Sequence, residues 1–335
     1  MARNKVTIKD IADSANVSKS TVSRVLNDNT PVNEQKRKAV LAAMERLQYK
    51  PNLVARSLAG GSSLTLGVVT QNIGSPFYDS VTQGVIHGMS GSDYSPIFVD
   101  GQWDRETEIS VVQTLIDRNI DALIMVGGTL DVHEIEELRQ DKPTVVIARH
   151  IDNVAIPSIA IDNVQAAKKA VEYLIKSGHR RIAHVKGIPE HQDAVDRFKG
   201  YCEALSDAGI ELEEELIVNG DFSSQSGVLA IESLLMRGAT FTAIFASNDE
   251  MALGIRLGLY RRGIRVPEDV SIVGFDDQPG SAYMTPPLTT VAQPASDMGE
   301  AAAEIALNML SKKEYELPKL DAELIVRESV KQIRP

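Results

Sequence analysis

Side chains that can bind hydroxyl groups follow many of the apolar runs between residues 64 and 276. They include carboxylates, an arginine, an amide, a histidine and several aromatic rings. A carboxylate or amide can hydrogen-bond two neighbouring hydroxyls, an arginine donates to them, and an aromatic ring covers the apolar face of a sugar. This set predicts a binding site for a sugar, and a purine stacked on Phe222 is the alternative. The candidates are Phe77, Tyr78, Asp162, His191, Asp193, Arg197, Phe222, Asn248 and Asp276.

Some of these candidates also have a purely structural explanation. Asp162 and Asn248 stand where they would cap helices, and Phe77 and Phe222 could belong to the core. Arg197 is harder to explain in this way, because an arginine buried without a partner is costly. The ligand-binding and structural interpretations therefore both stay open for four of these five residues.

A different set of side chains lies near the N-terminus, where residues 7–27 read TIKDIADSANVSKSTVSRVLN. The pattern predicts two helices joined by a turn, the second of them capped by Ser18. The outward residues of this second helix are small, polar or basic, which suits the DNA major groove. We assign base edges to Lys19, Ser20 and Arg24, and phosphates to Thr7, Ser18, Thr21, Ser23 and Asn27. A small solvated helical hairpin is the alternative.

Apolar spacing supports a three-helix head. The first helix carries Ile8, Ile11, Ala12 and Ala15 at i, i+3, i+4 and i+7, and Thr7 with Asp10 forms a capping pattern. The second helix should bury Val22, Val25 and Leu26. A third is expected from about Asn33 to Gln48, and its predicted inward residues are Val40, Leu41, Met44 and Leu47.

The segment after the head reads PNLVARSLAGGSS. Pro51 can open a short helix, and the glycines and serines from Gly60 onward indicate a flexible link. An ordinary linker is the alternative, although the apolar residues of this segment need something to bury against. Two candidates are the same segment of a second subunit and an unstacked base step in the DNA minor groove. We assign Asn52, Ala55 and Leu58 to DNA binding.

From Leu64 onward, short apolar runs alternate with helical patterns. This alternation predicts parallel sheets with helices on both faces, and nine or so strands suit two sheets better than one. Ligands bind at the carboxyl ends of such strands. A histidine in a loop after a strand, as His191 is, is ordinarily an exposed residue and not a ligand contact. Trp103 also follows a predicted strand, SPIFVD, and is a further candidate for the edge of the pocket. The expected strands are LTLGVVT, SPIFVD, DALIMV, TVVIA, SIAI, RIAHV, TAIFAS, VSIVGF and AELIV; the expected helices are 104–119, 163–177, 194–208, 226–237 and 249–262.

Charge is divided unevenly along the 335 residues. Residues 1–60 hold 11 Lys and Arg against 5 Asp and Glu, whereas the remainder holds 24 against 41. A basic head on an acidic body should present only the head to DNA, because the body repels phosphates.

Other function classes find little support. The chain has no H-x-x-x-H pair, G-x-S-x-G elbow, phosphate loop or G-x-G-x-x-G motif. We therefore expect no catalysis, metal or cofactor, although a carboxylate pair could in principle hydrolyse a glycoside. With no apolar run of membrane length and no signal-peptide pattern, the expected location is the cytoplasm, which argues against a transport component. The single cysteine, Cys202, excludes an intrachain disulfide.

Several motifs, in order along nearly the whole chain, resemble the lactose/galactose repressor family of bacterial transcription regulators. They are TIKDIA, VSxxTVSRVLN, YxPNxxARSL, PEDVSIVGFDD and PPLTTVxQP. The resemblance implies a helical DNA-binding head and an α/β periplasmic-binding-protein-like core of two doubly wound parallel-sheet lobes. It implies effector contacts for every cleft candidate except Tyr78, and it implies that Leu58 wedges into the minor groove.

The resemblance also implies a domain organisation. The head is expected at 1–50, the hinge helix and linker at 51–61, the N-lobe at 62–162 plus 291–322, and the C-lobe at 163–290 plus 323–335. One helix-turn-helix reads only a half-site, so a pseudo-palindromic operator needs a homodimer. Because the chain ends without a heptad tail, a dimer rather than a tetramer is expected.

Overall fold

The computed structural model describes residues 6–27, 32–49 and 62–333, with only the backbone at residues 26 and 27. The chain divides into two compact units. The first is residues 1–65 with 118–121, and the second is residues 66–117 with 122–335. Each unit has its own buried apolar cluster among the described residues.

The first unit contains three helices in its described residues. Thr7 caps the first: its hydroxyl accepts from the Asp10 N–H, and its own N–H donates to the Asp10 carboxylate at 2.8 Å. Asn16, in the left-handed region, ends that helix as the cap pattern requires. The helices are α1 (Ile8–Ala15), α2 (Lys19–Asn27) and α3 (Glu34–Arg46).

Among the described side chains, the core of the head follows the predicted faces with one correction; the side chain of Leu26, predicted to be buried, lies outside the described residues. Ile11, Val22 and Val40 are completely buried at the centre of the three helices. Leu41, predicted to face inward, is 49% exposed, and Ala43 is buried instead. Positions 40, 43, 44 and 47 share one helical stripe, and residue 41 lies about 100° away from it.

The N-lobe of the second unit is built on a sheet in the order β2-β1-β3-β4-β5. The β1–β3, β3–β4 and β4–β5 pairs are parallel. Its strands are β1 (Thr65–Thr70), β2 (Ser95–Asp100), β3 (Ala122–Val126), β4 (Thr144–Ile147) and β5 (Ser158–Ile159). Its helices are α4 (Pro76–Gly88), α5 (Arg105–Asp117) and α6 (Val132–Arg139).

The C-lobe is built on a sheet in the order β11-β10-β9-β8-β6-β7, in which only the β10–β11 pair is antiparallel within the described residues. Its strands are β6 (Ile182–Lys186), β7 (Ile217–Asn219), β8 (Ala243–Ala246), β9 (Ser271–Asp276), β10 (Thr289–Ala292) and β11 (Glu323–Ile325). Its helices are α7 (Asn163–Lys176), α8 (Gln192–Asp207), α9 (Ser224–Met236) and α10 (Asp249–Arg261).

A last helix, α11 (Ala295–Leu310), follows β10 but packs on α4 of the N-lobe. Glycines allow this close contact: a Cβ atom at Gly84 would lie 1.9 Å from the Ser296 carbonyl oxygen. The chain therefore passes between lobes after β5, after β10 and before β11. The boundary expected after residue 290 falls inside β10, because this strand continues to Ala292. With that change, the division into lobes stays our proposal. In the described ranges, no helix is long and apolar enough to cross a membrane.

Candidate ligand cleft and DNA-binding helix

A cleft of about 110 Å³ lies between the two lobes of the second unit. It is lined from both sheets, by residues that follow strands or begin helices, as expected for parallel α/β sheets. Its polar and aromatic lining comprises Asn72, Ser75, Phe77, Tyr78, Trp103, Arg149, Asn163, His191, Gln192, Asp193, Arg197, Asp221, Phe222, Asn248, Asp276 and Gln293.

Arg197 is the central cation of this cleft, and only 3% of it is exposed. Its Nε donates to the Asn163 Oδ1 at 2.9 Å, and its Nη1 donates to the Ser247 carbonyl oxygen at 2.6 Å. The guanidinium also lies over the Phe275 ring, 3.9 Å from its centroid. These contacts fix the plane of the guanidinium before any ligand binds.

Two carboxylates face Arg197 at distances longer than a hydrogen bond. Its Nη2 lies 3.6 Å from the Asp193 Oδ2, and its Nη1 lies 3.7 Å from the Asp276 Oδ1. The ion pairs compensate the buried charge but leave acceptor capacity on both carboxylates. The three side chains therefore offer donors and acceptors to the same volume.

Asp276 is held in an unusual backbone conformation at the end of β9. Its φ of 110° is one that residues other than glycine rarely adopt. Its carboxylate accepts a hydrogen bond from the Gln293 side-chain amide at 2.7 Å. Burial raises the pKa of Asp276 to about 6, and the positive charge of Arg197 opposes that shift.

A second buried carboxylate, Asp249, secures the loop that follows Asp276. It accepts hydrogen bonds from the Gln278 N–H at 3.0 Å, the Thr290 hydroxyl at 2.6 Å and the Ser281 hydroxyl. Burial raises the pKa of Asp249 to about 7, and the negative charge of Asp276 adds to the rise. A Cβ atom at residue 274 would lie 2.1 Å from this carboxylate, so the close contact requires Gly274.

Aromatic rings form the remaining wall of the cleft. The Trp103 and His191 rings are stacked with centroids 3.5 Å apart, and the His191 and Phe222 centroids are 6.0 Å apart with nearly parallel planes. Burial lowers the pKa of His191 below its ordinary value, which favours the neutral ring. The Asn248 side chain donates to the Phe222 carbonyl oxygen at 3.0 Å and fixes the loop before α9.

Arg149 is the arginine that the N-lobe contributes to the lining of the cleft. Its Nη1 donates to the Gly128 carbonyl oxygen at 2.8 Å, and its Nη2 donates to that of Leu130. Burial lowers the pKa of Arg149 from its ordinary value. The guanidinium is therefore held at the cleft by main-chain acceptors.

In the head, α2 presents the chemistry expected of a recognition helix. Lys19, Ser20 and Arg24 are exposed, whereas Val22 and Val25 are buried. The Ser18 Oγ lies 2.8 Å from the Ser20 Oγ and accepts from the Thr21 N–H at 3.2 Å. A cluster of hydroxyls at the start of a helix is suited to phosphate binding.

Family models match both the head and the core of this chain. Residues 7–52 match the model of bacterial regulatory proteins of the lacI family. Residues 63–323 match that of periplasmic binding proteins and the sugar binding domain of the LacI family. The chain belongs to the LacI family. It is a DNA-binding transcriptional regulator with a two-lobed, periplasmic-binding-protein-like core.

Individual relatives of this LacI-family protein cover almost its full length. Catabolite control protein A of Priestia megaterium is 38% identical over 310 residues, 92% of this chain and 93% of the relative. A lac repressor dimer bound to operator and the anti-inducer ONPF has a TM-score of 0.86 at 29% identity, covering 98% and 100% of the two chains. A complex of the regulator CelR with cellobiose has a TM-score of 0.71 at 30% identity, covering 97% and 99%.

Most of the predicted cleft residues come together in this LacI-family core. Those that line the cleft are Phe77, Tyr78, His191, Asp193, Arg197, Phe222, Asn248 and Asp276. Asp162 does not, because its exposed carboxylate accepts from the Gln165 N–H as the cap of α7. The next residue, Asn163, points inward and binds Arg197 instead. His191 is buried rather than an exposed loop residue.

Several lining residues were absent from the predicted set. Asn72 and Arg149 follow apolar runs, so the strand-end rule could have found them. Gln293 follows β10, whose threonine-rich sequence did not predict a strand. Trp103, proposed for the pocket edge, is part of its lining.

The predicted DNA contacts are exposed or half-buried where the structure describes them, and the hydroxyls of Ser18, Ser20 and Thr21 bond to one another. The Thr7 hydroxyl donates to the Asp10 carboxylate at 2.7 Å. The side chain of Asn27, and Asn52, Ala55 and Leu58, lie outside the described residues. These DNA contacts stay predictions.

Asp249→Asn should change how stability depends on pH. Because the folded pKa of about 7 exceeds the ordinary 3.8, the folded protein binds more protons than the unfolded chain in this window. The contribution of Asp249 to stability therefore falls as the pH rises from about 4 to about 7. Relative to wild type, the variant's free energy of unfolding should rise by on the order of 1–3 kcal/mol between about pH 5 and 8.

Urea unfolding at several pH values measures this difference. Asp269→Asn is the matched control, since the Arg265 side chain lowers the pKa of exposed Asp269 to about 2. A difference between Asp249→Asn and wild type that does not vary with pH would contradict the assignment.

Proposed function

We propose that this regulator is a homodimeric repressor of a sugar-utilisation operon, acting in the cytoplasm and controlled by a mono- or disaccharide bound in the cleft. The observation that carries the effector class is buried Arg197 facing Asp193 and Asp276 at 3.6 and 3.7 Å. A fixed donor beside two acceptors with spare lone pairs is complementary to neighbouring hydroxyls. The cellobiose complex of CelR supports a sugar for this class of core.

The charges of the cleft favour a neutral ligand. Two guanidinium groups, those of Arg149 and Arg197, face three carboxylates, those of Asp193, Asp221 and Asp276, so the carboxylates exceed the cations by one. An anionic ligand would add to the negative side of this balance and raise the cost of burying charge. A polyol adds hydrogen-bonding groups without charge.

The aromatic wall favours a sugar over a purine. A flat base inserted between two rings needs a centroid separation of about 7 Å, twice the carbon contact distance of about 3.5 Å. The His191 and Phe222 rings are 6.0 Å apart, and the other face of His191 is covered by Trp103 at 3.5 Å. A purine stacked on Phe222 alone stays the alternative.

A thermal-shift screen of monosaccharides, disaccharides, purine bases and nucleosides tests the effector class. A ligand at a hundred times its Kd should stabilise the folded protein by about 2.7 kcal/mol. We expect at least one sugar to raise the Tm of the wild type but not that of Arg197→Ala. Stabilisation by purines alone would favour the alternative effector class.

Control of DNA binding is proposed to act through the hinge segment at 51–59. A change in the angle or separation of the lobes would alter the distance between the two segments of a dimer. These segments would form helices only when held together against DNA, so the ligand biases a folding equilibrium. In this proposal Leu58 inserts into the central minor-groove step, with Asn52 and Ala55 beside it.

The dimer itself is proposed to form partly through α10. Leu253, Leu257 and Tyr260 are exposed on one face of this helix, and Tyr283, which is 87% exposed, lines the same groove as Leu253. Exposed large apolar side chains grouped together indicate an interaction surface. The lac repressor dimer supports a second copy of the chain as its occupant.

Leu253→Lys should weaken the dimer, because a buried lysine at the interface has no partner to compensate its charge. Sedimentation equilibrium at micromolar concentration should show a dimer for the wild type and a larger monomer fraction for the variant. Met236→Lys is the matched control, since Met236 on α9 is also an exposed apolar residue, 80% against 42% for Leu253, and does not line this groove. A stable wild-type tetramer, or equal dissociation of both variants, would contradict this interface.

A further inference from the structure

The stack of Trp103 on His191 connects the two lobes. Trp103 follows β2 of the N-lobe, and His191 caps α8 of the C-lobe. Their ring centroids are 3.5 Å apart with an interplanar angle of 23°. A stacked pair from opposite lobes closes the cleft along that edge.

The indole side of the stack is rigidly placed. The main-chain N–H of Trp103 donates to the Oε1 of buried Gln71 at 3.1 Å. The indole lies against the backbone of Gly127, where a Cβ atom would be 3.2 Å from its Cη2. The Tyr78 ring contacts it edge-on at 6.4 Å. Three neighbours therefore hold the indole where His191 meets it.

The imidazole side of the stack is also fixed but keeps one unused polar atom. The main-chain N–H of His191 donates to the Ile188 carbonyl oxygen at 3.1 Å, and the main-chain N–H of Val195 donates to the His191 carbonyl oxygen at 3.1 Å. The residue is 6% exposed, and its Nδ1 has no hydrogen-bond partner among the described residues. A buried polar atom in a cleft lining is costly unless a ligand or water satisfies it.

We propose that the Trp103–His191 stack limits the effector to a single sugar ring, with a ligand hydroxyl bonded to the His191 Nδ1. This proposal rests on the proposed function and narrows its effector from mono- or disaccharide to monosaccharide. The cleft volume is about 110 Å³, and the stack closes the cleft along one edge. A second ring requires the stack to separate.

Calorimetric titration of the full-length protein with monosaccharides, and with disaccharides containing them, tests this limit. The wild type should bind one monosaccharide at least about tenfold more tightly than its disaccharides. Trp103→Ala should bring the two affinities to within a few-fold of each other. Trp103→Phe, which keeps a ring at the edge, is the matched control and should retain most of the preference.

A second variant addresses the His191 side of the stack. His191→Gln removes the ring but keeps a hydrogen-bonding group, and it should also lose the preference for the smaller sugar. Trp103 is the only tryptophan, so its emission reports directly on this edge and should differ between His191→Gln and the wild type. The emission measurement needs no ligand.

The outcomes separate the two levels of the proposal. A wild type that binds a disaccharide as tightly as its component monosaccharides would overturn the size limit alone. A wild type that binds purines and no sugar would overturn the effector class and the size limit together. Unchanged Trp103 emission in His191→Gln would show that the stack does not form in solution and would also overturn the limit.

Discussion

Arg197→Ala and Asp276→Ala should give proteins that still bind the operator but no longer respond to the effector. Both side chains lie in the cleft and are at least nine-tenths buried, with Arg197 and Asp276 3.7 Å apart. Losing a charged hydrogen-bonding partner in such a site costs about 1.5–3 kcal/mol, which is about tenfold or more in affinity. Operator binding measured with and without sugar, at a temperature where both variants are folded, tests this expectation.

A structural role for the same residues predicts a different result. If Arg197 and Asp276 only join α8 to β9, the variants should melt at lower temperature but keep their response to effector. Asp276→Asn retains the shape and can still accept from the Gln293 amide, so it is the variant expected to fold best. A preserved effector response in the folded variants would show that both residues have a structural role and do not bind the ligand.

Arg24→Ala should weaken binding to the cognate operator and relax its base preference. Arg24 is exposed on α2, opposite the buried Val22 and Val25. An arginine bonded to a guanine edge contributes about 1–3 kcal/mol of discrimination, so the loss should be confined to cognate sequences. Binding to a cognate duplex and to an unrelated duplex at the same salt concentration measures the specific and the non-specific affinity separately.

Ser18→Ala is the contrasting variant. In the wild type, the Ser18 hydroxyl belongs to the cluster at the start of α2, with those of Ser20 and Thr21. A phosphate contact carries no base information, so this substitution should weaken all sequences about equally. Equal loss of cognate and unrelated binding in Arg24→Ala would make the base-edge assignment wrong.

Local patterns in the sequence predicted much of the fold. Each apolar run assigned to a strand contains one, and the buried parallel strands among them are almost continuously apolar. The strand β10 was missed, since Thr289 and Thr290 look like surface residues. Both are completely buried, and the Thr290 hydroxyl donates to Asp249. Burial of polar side chains depends on a partner distant in sequence, which a local pattern does not contain.

The candidate site was predicted less completely, for a related reason. The strand-end rule identified Arg197 and Asp276, because the ends of parallel strands meet wherever the sheet forms. It said nothing of the stacking between Trp103 and His191, which belong to different lobes. For Asp162 the rule identified the correct loop but the wrong side chain, since a capping carboxylate must point toward its own helix.

The central claim is that a sugar in the cleft controls binding of the head to a specific DNA sequence. Its most direct test selects the preferred duplex from a random pool and then measures operator affinity by fluorescence anisotropy with and without each sugar. We predict that a pseudo-palindromic site is enriched, and that at least one sugar changes its affinity about tenfold or more in wild type but not in Arg197→Ala. An operator affinity that no sugar alters would contradict the account.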